Sequence, residues 1–233
     1  MGLLTASQLE RLRAFVRGDL EPLAFERWFL GEHGMVGALG EDLHWDLTCA
    51  DYRDGSEVRR LRQLLKDLIN NDASCECWMR RDHDVIPMGG DGQDERFFAT
   101  VDRIDDHGGR QWWLYLSRCN ACEQHWLVAQ EERIYDDFFI RRLSSGEAEA
   151  IVADGLWPST FQTYEDVLAT GLAMSQPCSF FDPLPGSLVW TVEDLLKENP
   201  GITEARIAEL LGIEPGHVTA LRNAANSSSS RGP

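Results

Sequence analysis

The sequence predicts an α+β protein with N-terminal helices, a central antiparallel β-meander and a C-terminal helical unit. Three observations predict it. Apolar residues recur at helical spacing through residues 5–69, the period changes from residue 73 onward, and helical signals with capping residues return beyond residue 143.

Thr5 followed by Gln8 makes a capping box, and Leu9, Leu12, Phe15 and Val16 form one helical face that ends near Gly18. A second helix follows Leu20, with Pro22 in its first turn and Gly31 at its end. A third runs from a cap at Ser56 through Val58, Leu61, Leu64, Leu65, Leu68 and Ile69. Between them, Leu43 to Cys49 alternates with period two and is short enough to be helix or strand. The segments Phe97 to Ile104 and Gln111 to Ser117, joined by the turn cluster Asp105 to Gly109, read as a hairpin. His125 to Ala129 and Tyr135 to Arg141 extend it. Ser144 or Ser145 caps a helix over Glu147 to Ala153, and Thr163 precedes one over Tyr164 to Met174. The expected organisation is a helical region 1–72, a zinc-ribbon-like sheet with following helices 73–176, a linker 177–189, a helical unit 190–225 and a Ser-rich disordered tail 226–233.

The chain has 233 residues, with 39 Asp and Glu against 22 Lys and Arg, a formal charge of −17. That surface repels nucleic acid and anionic membrane and favours a basic partner. The first residues lack the basic start and apolar core of a signal peptide, and no apolar run approaches a membrane span, so a cytoplasmic location is expected. In a reducing compartment, six cysteines are better read as metal ligands or buried thiols than as disulfides.

The most specific motif is Cys75-Glu76-Cys77 with Cys119-Asn120-Ala121-Cys122. Tetrahedral Zn²⁺ needs four soft ligands converging on a point, and a CxxC knuckle supplies two from one tight turn. The four residues are therefore the expected ligands of a structural zinc, with His125 as a substitute. The competing reading is that Cys75 and Cys77 line a core with Trp78.

Residues 202–222 resemble a helix-turn-helix: Thr203 caps, Gly212 turns, and Pro215 starts the second helix. As a DNA reader it is poorly equipped, since that helix offers only His217, Thr219, Arg222 and Asn223, and residues 190–225 carry six acids against three bases. No GxSxG, phosphate-binding glycine loop or clustered histidines point to an enzyme. The pairs within Asp82-His83-Asp84, Asp105-Asp106 and Asp136-Asp137 read as solvated loops and strand edges. Trp28, Trp112 and Trp126 are expected in the core.

The segment Leu20-Glu21-Pro22-Leu23-Ala24-Phe25-Glu26-Arg27-Trp28-Phe29-Leu30, with the helix Glu57 to Asn70, is similar to the short helical immunity proteins of the colicin D type. Leu116 to Val128 resembles a CxxC-x-x-x-W ribbon edge that recurs in small accessory proteins of bacterial polymorphic toxin loci. The resemblance implies a toxin-immunity protein that presents acidic groups to the basic catalytic surface of a nuclease. The expected partner is thus a basic toxin, blocked stoichiometrically, and Asp102, Asp105, Asp106, Asp136 and Asp137 are the expected contacts. The alternative expectation is a zinc-containing transcription regulator with a C-terminal DNA reader.

Overall fold

In the computed structural model the chain divides into two units, residues 1–81 and 82–233. The structure describes residues 4–70, 73–109, 111–176, 182 and 184–229, with side chains only as far as residue 225.

In the first unit the expected capping box forms. Thr5 Oγ1 accepts from the Gln8 amide while the Gln8 side chain accepts from the Thr5 amide, opening α1 (Ala6–Arg17), and Gly18 closes it in the left-handed conformation. Pro22 starts α2 (Pro22–Gly31). A single turn, α3 (Val36–Leu39), precedes α4 (Glu41–Cys49), so the ambiguous segment 43–49 is helix, with Glu41 and Asp42 complementing the positive end of its dipole. In α5 (Gly55–Asn70) the buried positions are Val58, Leu61, Leu65 and Ile69, one helical face. Its first turn is capped by Asp54 rather than Ser56. The Asp54 carboxylate accepts from both the amide and the hydroxyl of Ser56, and these bonds hold its pKa below the usual carboxylate range. These helices enclose a core centred on Phe15 and Phe25, stacked with ring centroids 3.9 Å apart, with Leu12, Phe29, Leu47, Tyr52 and Leu61 around them.

The second unit is built on one five-stranded antiparallel sheet in the order β1-β5-β4-β3-β2. The strands are β1 (His83–Pro87), β2 (Val101–Asp106), β3 (Leu114–Cys119), β4 (His125–Glu131) and β5 (Asp137–Leu143). β2 to β5 form the expected meander. β1 starts in the Asp82-His83-Asp84 cluster, read as solvated loop or strand edge, and forms an edge strand beside β5, with Val85 opposite Phe139. Phe97 and Phe98, expected in a strand, instead belong to α6 (Gln93–Phe98). There Phe97 packs on Trp126 and Phe98 on Phe138, so both rings cover one sheet face.

The opposite sheet face, carrying Leu114, Leu116, Leu127, Ala129 and Phe139, shares its core with α7 (Ser145–Asp154), α8 (Tyr164–Ala173), α9 (Gly186–Glu198), α10 (Glu204–Leu211) and α11 (Pro215–Ser229). Ser144 and Thr163 cap α7 and α8 by reciprocal capping boxes with Glu147 and Asp166. The last three helices belong to that core through Val192, Leu195, Ile207, Leu210, Leu211, Val218 and Leu221. α9 begins within the segment expected as linker, and α11 continues through Ser229 into the segment expected as a disordered tail. Residues 177–181 and 183 of that linker and 230–233 of that tail lie outside the described residues. Trp126 is fully buried, whereas Trp112 is 45% exposed and its neighbour Trp113 takes the core position.

One buried polar knot holds the β4–β5 turn. The Glu131 side chain, 1% exposed, accepts from the backbone N–H groups of Arg133, Ile134 and Tyr135 at 2.7–3.1 Å and from the Tyr164 hydroxyl.

Candidate metal centre

Cys75 and Cys77 follow α5, with a 3-10 turn over Cys77–Met79 burying Cys77 and Trp78 while Cys75 stays half-buried. That segment is held on α1, since Arg17 Nη1 donates to the Trp78 carbonyl at 2.9 Å. Cys119 ends β3 and is fully buried; Cys122 lies in the β3–β4 turn and is exposed. The turn is closed at both ends. The Cys119 amide donates to the Gln124 carbonyl and the Glu123 amide to the Cys119 carbonyl, each at 2.9 Å, with Glu123 left-handed at φ 63°.

This backbone aims polar hydrogens at a sulfur. Burial opposes ionisation of Cys119, but its hydrogen bond with Thr100 Oγ1 and those from the Cys122 and Ala121 amides outweigh it, lowering the thiol pKa to about 7. A thiol so placed ionises readily, and the thiolate is the form that binds metal. The Sγ atoms of Cys75, Cys77, Cys119 and Cys122 all lie within 4.8 Å of one another, and none of the five described cysteines is in a disulfide. Four thiolates bonded to one tetrahedral ion at about 2.3 Å sit about 3.8 Å apart. Four converging soft donors suit a thiophilic cation and leave no position for a substrate.

The other cysteines and the expected substitute ligand stay out of this group. Cys49 is exposed on α4, and Cys178 lies outside the described residues. His125 is half-buried at the start of β4, where burial and then Arg118 lower its pKa. Among the described residues no other group of three or more His, Cys, Asp or Glu converges for a metal.

The five expected partner contacts divide. Asp102, Asp105 and Asp106 are exposed on β2, an edge strand with an irregular register between Arg103 and Asp105. Asp102 accepts from Asn120, Asp105 from the Asp106 amide, and Asp106 pairs with Arg103, whose guanidinium stacks on Tyr115. Asp136 is exposed, at φ 54°. Asp137 is only 6% exposed and is withdrawn from any partner; the pairing of β5 with β1 and β4 buries it. Burial, then Glu131 and Asp136, raise its pKa to about 6.

In the C-terminal helices, two of the side chains expected to reach a groove, Thr219 and Arg222, are engaged within the chain, and His217 is exposed. Arg222 pairs with Glu204 at 2.7 Å, and Thr219 donates to the same carboxylate at 3.2 Å. A shallow cleft brings His83, Ser159 and Asp166 together, but among the described residues no hydrogen bond joins His83 to the other two, and Asp166 is spent on the Thr163 cap. Sequence reasoning missed the Glu131–Tyr164 knot and the exposure of Trp45, 69%. The outward position of Trp45 was legible only once residues 41–49 were assigned as helix. The chain matches no protein-family model, no curated protein and no solved structure.

Proposed function

We propose that this chain is an immunity protein or inhibitor that binds and occludes a basic toxin, a nuclease by its charge complementarity, acting by binding rather than catalysis in the cytoplasm. The observation that carries this reading is how the charge is disposed. The chain has 17 more acids than bases, and many of its cations are consumed internally: Arg17, Arg60, Arg133, Arg141, Arg142, Arg206 and Arg222 each pair with a carboxylate of the same chain. Exposed acids are left in excess, and a surface of that kind accelerates encounter with a cationic site and stands in for substrate phosphates. The resemblance of residues 20–30 and 57–70 to colicin D-type immunity proteins points the same way.

Cys75, Cys77, Cys119 and Cys122 are the residues that would hold a structural Zn²⁺, which when bound contributes folding free energy. A zinc-containing regulator that reads DNA is the weaker reading, because Arg222 and Thr219 are both held by Glu204.

Affinity purification from native lysate, followed by purification of any recovered basic protein and stopped-flow binding, tests the function. The association rate should fall steeply between roughly 50 and 500 mM salt, over which the Debye length shrinks about threefold, while dissociation changes little. Failure to recover a basic partner, or a salt-indifferent rate, overturns the reading. Elemental analysis of protein purified without chelator should find about one zinc per chain, lost in Cys122→Ser and kept in Cys49→Ser.

A further inference from the structure

We infer that the outward face of α4 is the docking surface for the basic partner, with Trp45 as its anchor and Glu41 and Asp42 as its charged flank. The inference rests on the binding reading above and adds a location to it.

α4 is fixed in its unit from one side. Leu47 is fully buried, His44 packs on Phe29 with ring centroids 5.3 Å apart, and the Tyr52 hydroxyl donates to the Leu47 carbonyl at 2.7 Å. Trp45 lies two residues from Leu47 and so projects from the opposite face, 69% exposed, the most exposed large hydrophobic side chain among the described residues. Helical spacing places Glu41, Asp42, Thr48 and Cys49 on that same face, and all four are exposed. A bulky aromatic held out on a rigid helix contributes little to its own fold. It is preorganised for a partner, losing little side-chain freedom on binding.

Charge identifies the partner. Residues 32–57 carry seven acids and one base, while the rest of residues 1–81 carries seven acids and ten bases, so the acidity of this unit is concentrated around Trp45. Asp46 and Glu57 are partly satisfied by Arg60, but Glu41 and Asp42 have no ion-pair partner among the described residues. The other strongly exposed tryptophan, Trp190 at 61%, is differently placed. The acids one turn along from it, Glu193 and Asp194, are neutralised by Lys197 and Arg133. Trp45 alone of the two combines an apolar anchor with acids that have no ion-pair partner among the described residues, which fits a protein segment presenting arginine or lysine beside an apolar side chain.

The test uses the full chain and a defined probe, a synthetic peptide of alternating arginine and leucine, at low salt. The Trp45 indole N–H resonance, assigned by its loss in Trp45→Phe, should be among those that shift most. Trp45→Ala should weaken binding by at least about tenfold, and Glu41→Gln with Asp42→Asn by about fivefold or more, whereas Trp190→Ala should change it less than twofold. Circular dichroism checks that each variant folds. If Trp45→Ala binds like the parent while reversing Asp105 and Asp106 to Lys abolishes binding, the α4 assignment falls and the binding reading stands. If the peptide does not bind at all, both fall.

Discussion

Replacing Glu131 by Ala should be among the most destabilising single changes available in the second unit. Three backbone N–H groups, of Arg133, Ile134 and Tyr135, and the Tyr164 hydroxyl converge on a carboxylate that is 1% exposed. Removing it takes this acceptor from four donors and leaves the Tyr164 hydroxyl, itself on a residue 2% exposed, only the Thr191 hydroxyl as a neighbour. Each unsatisfied buried donor costs about 1–3 kcal/mol, and water entering the vacated volume recovers part of the sum, so the net loss should be about 3–5 kcal/mol. That is a large share of the ~5–15 kcal/mol that holds a domain folded. Glu131→Gln keeps one acceptor oxygen but turns an amide NH₂ toward donors, and should cost about 2–3 kcal/mol. Tyr164→Phe removes only one donor and should cost about 1–2 kcal/mol. The assay is urea unfolding for global stability together with amide hydrogen exchange at Arg133, Ile134 and Tyr135, whose protection should drop in Glu131→Ala and persist in Tyr164→Phe. A loss below about 1 kcal/mol for Glu131→Ala, with those amides still protected, would show that the turn is held by something other than this carboxylate.

Asp137 gives a pH signature of opposite sign to that of acids held by ion pairs or hydrogen bonds, because burial raises its pKa. Its pKa is raised to about 6 from an ordinary 3.8, so between those values the folded protein binds more protons than the unfolded chain and stability falls as pH rises through the window. Asp137→Asn should therefore stabilise the protein at pH 7.5 by about 1–3 kcal/mol and make little difference at pH 3.5, measured as urea midpoints relative to the parent at each pH; equal effects at both would remove the buried charge as the cause. Gly171→Ala tests close packing in α8. An added Cβ would lie 2.5 Å from ring carbons of Tyr135, so despite the better helix propensity of alanine the change should cost about 1–3 kcal/mol, and a gain in stability would show that the ring moves freely. Duplex DNA should not be retarded by the chain in a gel shift at low salt, the most permissive condition; sequence-specific retardation abolished by Arg222→Ala would restore the regulator reading.

What the sequence by itself determined is what neighbouring residues settle among themselves. The caps at Thr5, Ser144, Thr163 and Thr203 each bond to an amide three residues on, so one turn of sequence contains the whole interaction. The four-cysteine set was legible for a related reason: thiols are few, and their spacing in close pairs announces convergence even though the convergence itself is tertiary. Tertiary structure decided every question that turned on which surface lies opposite. Residues 43–49 alternate like a strand, but they pack against helices, so α4 forms and Trp45 points outward. Phe97 and Phe98 became helical because Trp126 and Phe138 lie where both rings are needed. β1 exists because β5 offers it an edge, and that pairing, with β4 on the other side, buries Asp137, an aspartate no local rule separates from exposed Asp136. Hydrogen bonds within one turn are encoded where they occur, whereas burial depends on partners distant in the chain, so these four caps were readable from the residues, though at α5 Asp54 took the place expected of Ser56, and exposure was not.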